Sequence, residues 1–295
     1  MNPDYVGHPQ TKEYVAQFIA QPSHAAMLVG AHGIGKSYLA EMIIAAILDV
    51  TPDFLKTKHP YFLAIAPEKN SISIEVIREL QHFLQLKTAT SPKYKNRIRR
   101  AIIIEHAETM TTEAQNAFLK VLEEPPADTV ILLTVPNQRA VLPTILSRVQ
   151  LVAVHPPLEA DIRNHFAAAS SSEASVTQAY FLSGGLPGLM HALLAADDTH
   201  PLIKGVETAK SILQKTTFER LALVEGLSKQ KEDAIQVVSA LQHIAQTALQ
   251  QAAKRREAAK ITQWQHILRV ATAAHTAFDQ SANPKLILSN MMLAM

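Results

Sequence analysis

The residue types best suited to chemistry lie in one short segment, GAHGIGKS, at residues 30–37. This segment fits the pattern GxxxxGK[ST], and it lies between an apolar run and a helical pattern, which is the context that the motif needs. Its glycines let the backbone approach phosphate groups, so that N–H groups and a helix N-terminus face negative charge. A glycine turn without a ligand is the alternative. The predicted nucleotide-binding residues of the loop are Gly30, Gly33, Gly35, Lys36 and Ser37.

Two of these residues have side chains that can act directly on a nucleotide. Lys36 is predicted to reach the β- and γ-phosphates, and Ser37 is predicted to bind Mg²⁺. A bound ATP with Mg²⁺ is therefore the expected ligand.

A second chemical feature is the segment IIIEHAE at residues 102–108. Glu105 ends a predicted buried strand and is placed to hold Mg²⁺ through water, where such folds usually carry an aspartate. The next position, where a water-activating carboxylate is expected, holds His106. An imidazole can act as a base in principle, but its alignment differs from that of a carboxylate. Glu108 can substitute only from another direction, so the sequence predicts nucleotide binding with weak or absent hydrolysis. Solvated acids at a strand end are the simpler alternative.

The elements that must position these residues alternate along the first half of the chain. Short apolar runs predict buried strands at residues 25–30, 100–105 and 129–135, with a weaker candidate at 59–67. Helical apolar spacing marks residues 36–50 and 111–124. The alternation predicts an α/β domain with a parallel sheet.

Composition divides the chain into three predicted domains. Residues 1–157 form the α/β domain, residues 158–198 contain short helical pieces, and residues 199–295 are dominated by strong helix formers. Long amphipathic helices are predicted at residues 236–260 and 261–278.

The bulk composition excludes several classes of protein. The 295 residues carry a formal charge of only +2, which is too little for a protein that holds DNA by charge alone. The absence of cysteine excludes disulfides and cysteine-ligated zinc, and the scattered histidines form no helix-spaced ligand pair, so no zinc site is expected. No leader and no apolar run of about 20 residues is evident, so we expect a cytoplasmic protein without a membrane partner.

Two further segments carry a resemblance to a known family. They are NAFLKVLEEPP at residues 116–126 and LPTILSRVQ at residues 142–150. With SGGLPG at 183–188 and NPKLILSNMML at 283–293, they resemble the AAA+ clamp-loader family, and within it most closely the delta-prime type of subunit of bacterial DNA polymerase III. The resemblance spans almost the whole chain.

The resemblance implies a fold and a set of roles. Residues 1–157 would be an AAA+ nucleotide-binding domain, 158–198 a small helical lid and 199–295 a helical collar for oligomerisation. Lys36 and Ser37 match the Walker A residues, and Glu105 falls where the Walker B aspartate lies. Thr134 or Asn137 would occupy the sensor-1 region that contacts the γ-phosphate. Arg148 matches the arginine that reaches in trans into the ATP site of the neighbouring subunit.

The family also implies partners and a place in replication. The partners would be clamp-loader subunits of the gamma/tau and delta types, the sliding clamp and primer–template DNA. The chain would then be a component of the DNA polymerase III holoenzyme whose own ATPase is weak or absent.

Departures from the family pattern bear on hydrolysis. The hydrolysing gamma subunit carries a sensor-2 arginine, whereas residues 185–188 read GLPG here. Val149 replaces the cysteine of the SRC motif, and the four-cysteine zinc module of many relatives cannot be present. An ATP-hydrolysing gamma-type subunit, or another self-contained AAA+ ATPase, is the alternative. It would require an acid at His106 and an arginine near residues 185–188.

Contact with DNA is a secondary prediction. The densest basic cluster lies in KYKNRIRR at residues 93–100, and phosphates would be its target. A solvated turn before the next strand explains the same charges and is the preferred interpretation. The candidate residues are Lys93, Lys95, Arg97, Arg99 and Arg100.

Overall fold

The fold is seen in a computed structural model, which describes residues 5–68, 71–86, 88, 98–169, 172–195, 201–279 and 282–295. The chain divides into two compact units, Met1–Leu158 and Glu159–Met295. None of the helices in these described ranges is long and apolar enough to cross a membrane.

The first unit is built on a sheet of five parallel strands in the order β2-β3-β4-β1-β5. The strands are β1 (Ala25–Val29), β2 (Phe62–Ile65), β3 (Arg100–Ile104), β4 (Thr129–Val135) and β5 (Gln150–Ala153). All residues of β3 and β4 are buried, as expected for central parallel strands covered on both faces. Strand β4 lies between β1 and β3. The segments that follow β1 and β3, residues 30–37 and 105–108, therefore lie at the same, carboxyl-terminal end of the sheet.

Six α-helices lie in the described part of this unit. They are α1 (Pro9–Ala20), α2 (Lys36–Leu48), α3 (Pro52–Lys58), α4 (Ile74–Gln85), α5 (Thr112–Glu123) and α6 (Pro143–Leu146). Helices α4 and α5 pack against each other, and Ile77, Leu80 and Phe118 from these helices join the sheet residues in one buried core. The helix ends follow local chemistry, since Thr111 caps α5 by accepting a hydrogen bond from the Ala114 N–H.

The second unit is helical in all its described elements. They are α7 (Glu159–Ala169), α8 (Glu173–Ser183), α9 (Pro187–Ala195), α10 (Pro201–Gln214), α11 (Thr217–Leu227), α12 (Lys231–Lys254), α13 (Ala258–Asp279) and α14 (Pro284–Ala294). Helices α12 and α13 pack extensively, and α10 also packs on α12. Val238 and Leu241 of α12 are fully buried, so this face of the helix forms core.

The predicted architecture is confirmed: an α/β domain with a parallel sheet precedes a helical region. One helix prediction differs from the structure. Residues 236–260 are not a single helix, because Arg255–Glu257 separate α12 from α13 and Arg256 has a left-handed φ of +57°. The separation of residues 158–198 from 199–295 as lid and collar stays a prediction.

Candidate nucleotide-binding site

The phosphate loop connects the end of β1 to the start of α2. Gly33 has a φ of +78° and Gly35 a φ of +91°, a left-handed backbone that favours glycine. A side chain at Gly30 would place a Cβ 2.7 Å from the carbonyl oxygen of Val154, so the backbone approaches too closely for any other residue. The first turn of α2 follows directly, and its N–H groups have no partners within the helix. The loop therefore has the shape and polarity of an anion site.

Lys36 is the buried cation of this loop. The residue is only 7% exposed, and its ammonium donates to the carbonyls of Gly30 at 2.6 Å and Ala31 at 2.9 Å. Burial lowers the pKa of Lys36 to about 8, and the negative charge of Glu108 opposes this shift. The ammonium of Lys36 is thus held against the loop carbonyls, and the charge of Glu108 favours its protonated form.

Ser37 and Glu105 meet at the end of the acid strand. The Ser37 hydroxyl donates to Oε2 of Glu105 at 2.9 Å, although the two residues are 68 positions apart. A hydroxyl and a carboxylate are hard oxygen ligands of the kind that Mg²⁺ prefers. The sequence predicted both residues as magnesium ligands, and the structure brings them together.

The segment Glu105–Thr109, here called the acid turn, is held by several hydrogen bonds. His106 has a left-handed φ of +51°, and its N–H donates to the hydroxyl of Thr134 at 3.1 Å. The Thr109 hydroxyl donates to the His106 carbonyl at 2.7 Å, and the Ile72 N–H donates to the Thr109 carbonyl at 3.0 Å. The backbone of His106 is therefore held by hydrogen bonds to both its N–H and its carbonyl group.

The side chains of the acid turn form a small cluster with the phosphate loop. His106 Nδ1 lies 3.1 Å from Oε1 of Glu108, and the His106 ring lies 5.5 Å from the ring of His32. His32 occupies a variable position of the phosphate-loop motif, and it had no assigned role from sequence. No spacing rule could identify it, because its neighbours lie 74 and 76 residues further along the chain.

The two sensor-1 candidates occupy different environments. Thr134 is buried in β4 beside Leu28 of β1, and its hydroxyl contacts the acid turn. Asn137 lies beyond the end of β4 and accepts a hydrogen bond from the Arg139 N–H at 3.0 Å. Thr134 thus couples the acid turn to the strand next to the phosphate loop, whereas Asn137 caps a short helical turn.

Arg148 lies between α6 and β5, and the described hydrogen bonds of its side chain are to residues outside the phosphate loop. Its guanidinium donates to the Thr144 carbonyl at 3.0 Å and forms an ion pair with Glu123 at 2.9 Å. The Arg148 side chain is 35% exposed. It is therefore accessible, and its partner Glu123 belongs to the motif LEEPP that carried the family resemblance.

The basic cluster is only partly described. Lys93, Lys95 and Arg97 lie outside the described residues. Arg100 does not fit a DNA-binding role: it is 2% exposed, and its guanidinium donates to the carbonyls of Leu84 and Leu86 at the end of α4. The guanidinium also lies 5.6 Å from the centre of the Phe83 ring. This candidate was wrong because charge density along a sequence does not distinguish a buried cation from an exposed one.

The turn at residues 183–188 links α8 to α9. Gly184 and Gly185 have φ values of +64° and +77°, so the two glycines reverse the chain at the end of α8. Helix α9 reads PGLMHALLA and contains no arginine. The sensor-2 arginine expected of a self-sufficient ATPase is thus missing from both the turn and the helix that follows it.

The fold and the site together define a protein of the α/β class with a P-loop motif between β1 and α2. A family model described as DNA polymerase III, delta subunit, matches residues 8–157, which contain the whole site. The chain belongs to this family.

Curated relatives agree with the family model. The chain is 32% identical over 213 residues to DNA polymerase III subunit delta' of Pseudomonas aeruginosa, covering 66% of this chain and 63% of the relative. It is 28% identical over 207 residues to the Escherichia coli subunit of the same name, covering 64% and 60%. The matched segment thus spans about three fifths of the length of each of these two relatives.

Among solved structures, the chain is similar to a gamma subunit-related protein of DNA polymerase III from Thermotoga maritima. The TM-score is 0.49 at 22% identity, over 96% of this chain and 97% of that one. It is also similar to the RuvB branch migration motor of the same organism, with a TM-score of 0.47 at 12% identity over 71% and 63% of the two chains.

Proposed function

We propose that this chain is a delta-prime-type subunit of a bacterial DNA polymerase III clamp loader, which helps to place a sliding clamp on primed DNA in the cytoplasm. The observation that carries the proposal is the family match, because residues 8–157 include the phosphate loop, the acid turn and Arg148. Two relatives named as delta' subunits support the same assignment.

Nucleotide binding is the first part of the proposal. Lys36 would leave the carbonyls of the loop and pair with the β- and γ-phosphates, while the N–H groups at the start of α2 face the same charge. Ser37 would bind Mg²⁺ directly and Glu105 through water, and Thr134 or Asn137 would act as the sensor. ATP and Mg²⁺ are therefore the proposed ligands.

Weak hydrolysis is the second part. His106 stands where the water-activating carboxylate is expected, and its Nδ1 already contacts Glu108. A general base must lie within hydrogen-bonding reach of the attacking water, and a side chain placed by a left-handed turn against His32 and Glu108 is poorly directed for that. The missing arginine in α9 supports the same conclusion. The chain would thus hold nucleotide without using it rapidly.

The third part concerns the neighbouring subunit. Arg148 would exchange its exposed ion pair with Glu123 for the phosphates of an ATP bound to a gamma/tau-type neighbour. The helical regions 158–198 and 199–295 would serve as lid and collar, with a delta-type subunit and the clamp as further partners. Lys93, Lys95, Arg97 and Arg99 remain the proposed DNA contacts, through phosphates alone.

The test is an ATP titration of the purified chain with Mg²⁺, followed in the same sample by phosphate release. We expect saturable binding with negligible turnover, and loss of binding in Lys36→Ala. Turnover that disappears in Lys36→Ala would overturn the proposal of weak hydrolysis and favour the gamma-type alternative. An absence of binding in the wild-type chain would overturn the nucleotide site itself.

A further inference from the structure

The cluster of His32, His106 and Glu108 offers a second kind of site at the mouth of the phosphate loop. One ligand atom from each residue lies within 4.8 Å of the other two. The three residues come from two loops that the sheet brings together, since β1 leads into the phosphate loop and β3 into the acid turn. No helix-spaced histidine pair is involved, so the sequence spacing did not reveal this arrangement.

The chemistry of the donor set differs from that of the magnesium position. Imidazole suits Zn²⁺, Cu²⁺ and Ni²⁺, whereas Mg²⁺ takes oxygen ligands. Two histidines and one glutamate are a set that zinc uses in proteins, with a fourth position left for water. The magnesium position, by contrast, is formed by the oxygen atoms of Ser37 and Glu105.

Two of the three ligand atoms already lie at the separation that a zinc site requires. Tetrahedral zinc, with bonds of about 2.0–2.1 Å, brings its ligand atoms to about 3.3 Å from one another. Nδ1 of His106 and Oε1 of Glu108 are 3.1 Å apart. The His106 side chain is 40% exposed, and His32 lies in an accessible loop, so modest rotation of these rings can bring the third ligand in.

A second observation points to a cation beside Glu108. Its Oε2 is buried, and it has no hydrogen-bond partner among the described residues, while Oε1 faces His106. A buried carboxylate oxygen without a partner is costly, and an ion is one of the few ways to satisfy it. The Glu108 carboxylate thus has one oxygen on His106 and one buried oxygen without a hydrogen-bond donor among the described residues.

We propose that His32, His106 and Glu108 form a binding site for a divalent transition metal, of which Zn²⁺ is the best match. The site revises the expectation of no zinc, which considered cysteine ligands and helix-spaced histidines. It would join the phosphate loop to the acid turn. The proposal does not depend on the proposed function, because the metal would bind without nucleotide.

The experiment uses the full chain and Zn²⁺ alone, with a chromogenic chelator as competitor and no nucleotide. We expect one zinc per chain, and at least about a tenfold loss of affinity in each of His32→Ala, His106→Ala and Glu108→Gln, because even outer-shell changes cost that much. His191→Ala is the matched control, since His191 is an exposed histidine of the second unit. Millimolar Mg²⁺ should not displace the zinc.

A spectroscopic readout separates a lost ligand from a damaged fold. Co²⁺ bound in a tetrahedral site gives visible absorption, which the wild-type chain and His191→Ala should show and His106→Ala should lack. Equal zinc affinity in all variants would overturn the proposal and leave a simple hydrogen-bonded pair of His106 and Glu108. An absence of zinc binding to the wild-type chain would overturn it as well.

Discussion

At the scale of single residues, the charge of Lys36 is set by burial in the phosphate loop. Lys36 is 7% exposed, and the pKa of its ammonium falls from 10.5 to about 8. An unfolded chain would bind the proton up to the higher pKa, so it binds more protons than the folded chain between these values. The folded state therefore gains stability as the pH rises from about 8 towards 10.

This sign gives a prediction for Lys36→Met. We expect the free energy of unfolding of the wild-type chain to rise by about 2 kcal/mol between pH 8 and pH 10, relative to that of the variant. Denaturant unfolding at a series of pH values measures the difference. The comparison stops at pH 10, because burial raises the pKa of Tyr5 to about 12 and so reverses the slope at higher pH. Parallel pH profiles for both proteins would contradict the burial of a charged Lys36.

Arg100 shows how a cation can serve the fold. It is buried at the start of β3 and donates to two carbonyls at the end of α4, where helix carbonyls lack partners. We expect Arg100→Ala to lower the free energy of unfolding by about 2–4 kcal/mol, because charged hydrogen bonds are lost and buried carbonyls are left without donors.

The control for Arg100→Ala is Arg139→Ala. Arg139 is exposed, and its backbone rather than its side chain makes the contact with Asn137. Its substitution should change stability by no more than about 0.5 kcal/mol. Equal effects of the two substitutions in urea unfolding would show that Arg100 does not hold the end of α4 to the start of β3.

At the scale of elements, the turn from β1 into α2 depends on the backbone of Gly35. A Cβ at this position would meet nothing within 4 Å, yet its φ is +91°. We therefore expect Gly35→Ala to destabilise the chain by about 1–2 kcal/mol through backbone strain alone. ATP affinity should fall as well, because the strain reshapes the loop.

Gly226 provides a matched comparison. It also has open space around its Cβ position, but it lies inside helix α11. Alanine there should be neutral or stabilise the chain by up to about 1 kcal/mol, since glycine is a poor helix former. Thermal unfolding of both variants distinguishes strain from crowding: destabilisation of both would mean that positive φ is not the cause at Gly35.

The elements differ in how well their sequences revealed them. Strands β3 and β4 are entirely buried and mostly apolar, and sequence pattern predicted both. Strand β5 reads QLVA with only Val152 buried, so its edge position left no apolar run to detect. The break between α12 and α13 contains neither glycine nor proline, and a left-handed arginine ends the helix without a local signal.

The candidate site was predictable to the extent that its residues belong to contiguous motifs. Gly35, Lys36 and Ser37 follow one another in the chain, and Glu105 ends an obvious strand. The contact of Ser37 with Glu105 depends on strand order, which places β4 between β1 and β3. The position of His32 beside His106 depends on loop conformation, for which the sequence carries no periodic signal.

At the scale of the whole molecule, Arg148, which follows α6, is the residue whose proposed role requires a neighbouring subunit. In the single chain, Arg148 forms an exposed ion pair with Glu123, and such pairs contribute little to stability. The permanent charge and forked donors of its guanidinium are suited to phosphate oxygens. We therefore expect substitution of Arg148 to affect the activity of an assembly and to have little effect on the isolated chain.

This reasoning predicts the behaviour of Arg148→Ala. In the proposed clamp-loader assembly, we expect DNA-stimulated ATPase to fall by about a thousandfold at the neighbouring site, which is the loss that removal of an arginine finger causes. The ATP affinity of the isolated variant should match that of the wild-type chain, and its stability should change by less than about 1 kcal/mol.

Glu123→Gln separates the two roles of the ion pair. This substitution removes the partner of Arg148 within the chain but keeps the guanidinium and its bond to the Thr144 carbonyl. Because the arginine is then still available to a neighbour, ATPase of the complex should remain close to that of the wild type. If Glu123→Gln and Arg148→Ala lower the ATPase equally, the ion pair shapes the subunit surface and Arg148 does not act on the neighbouring phosphates. If neither changes it, the trans-acting role is excluded.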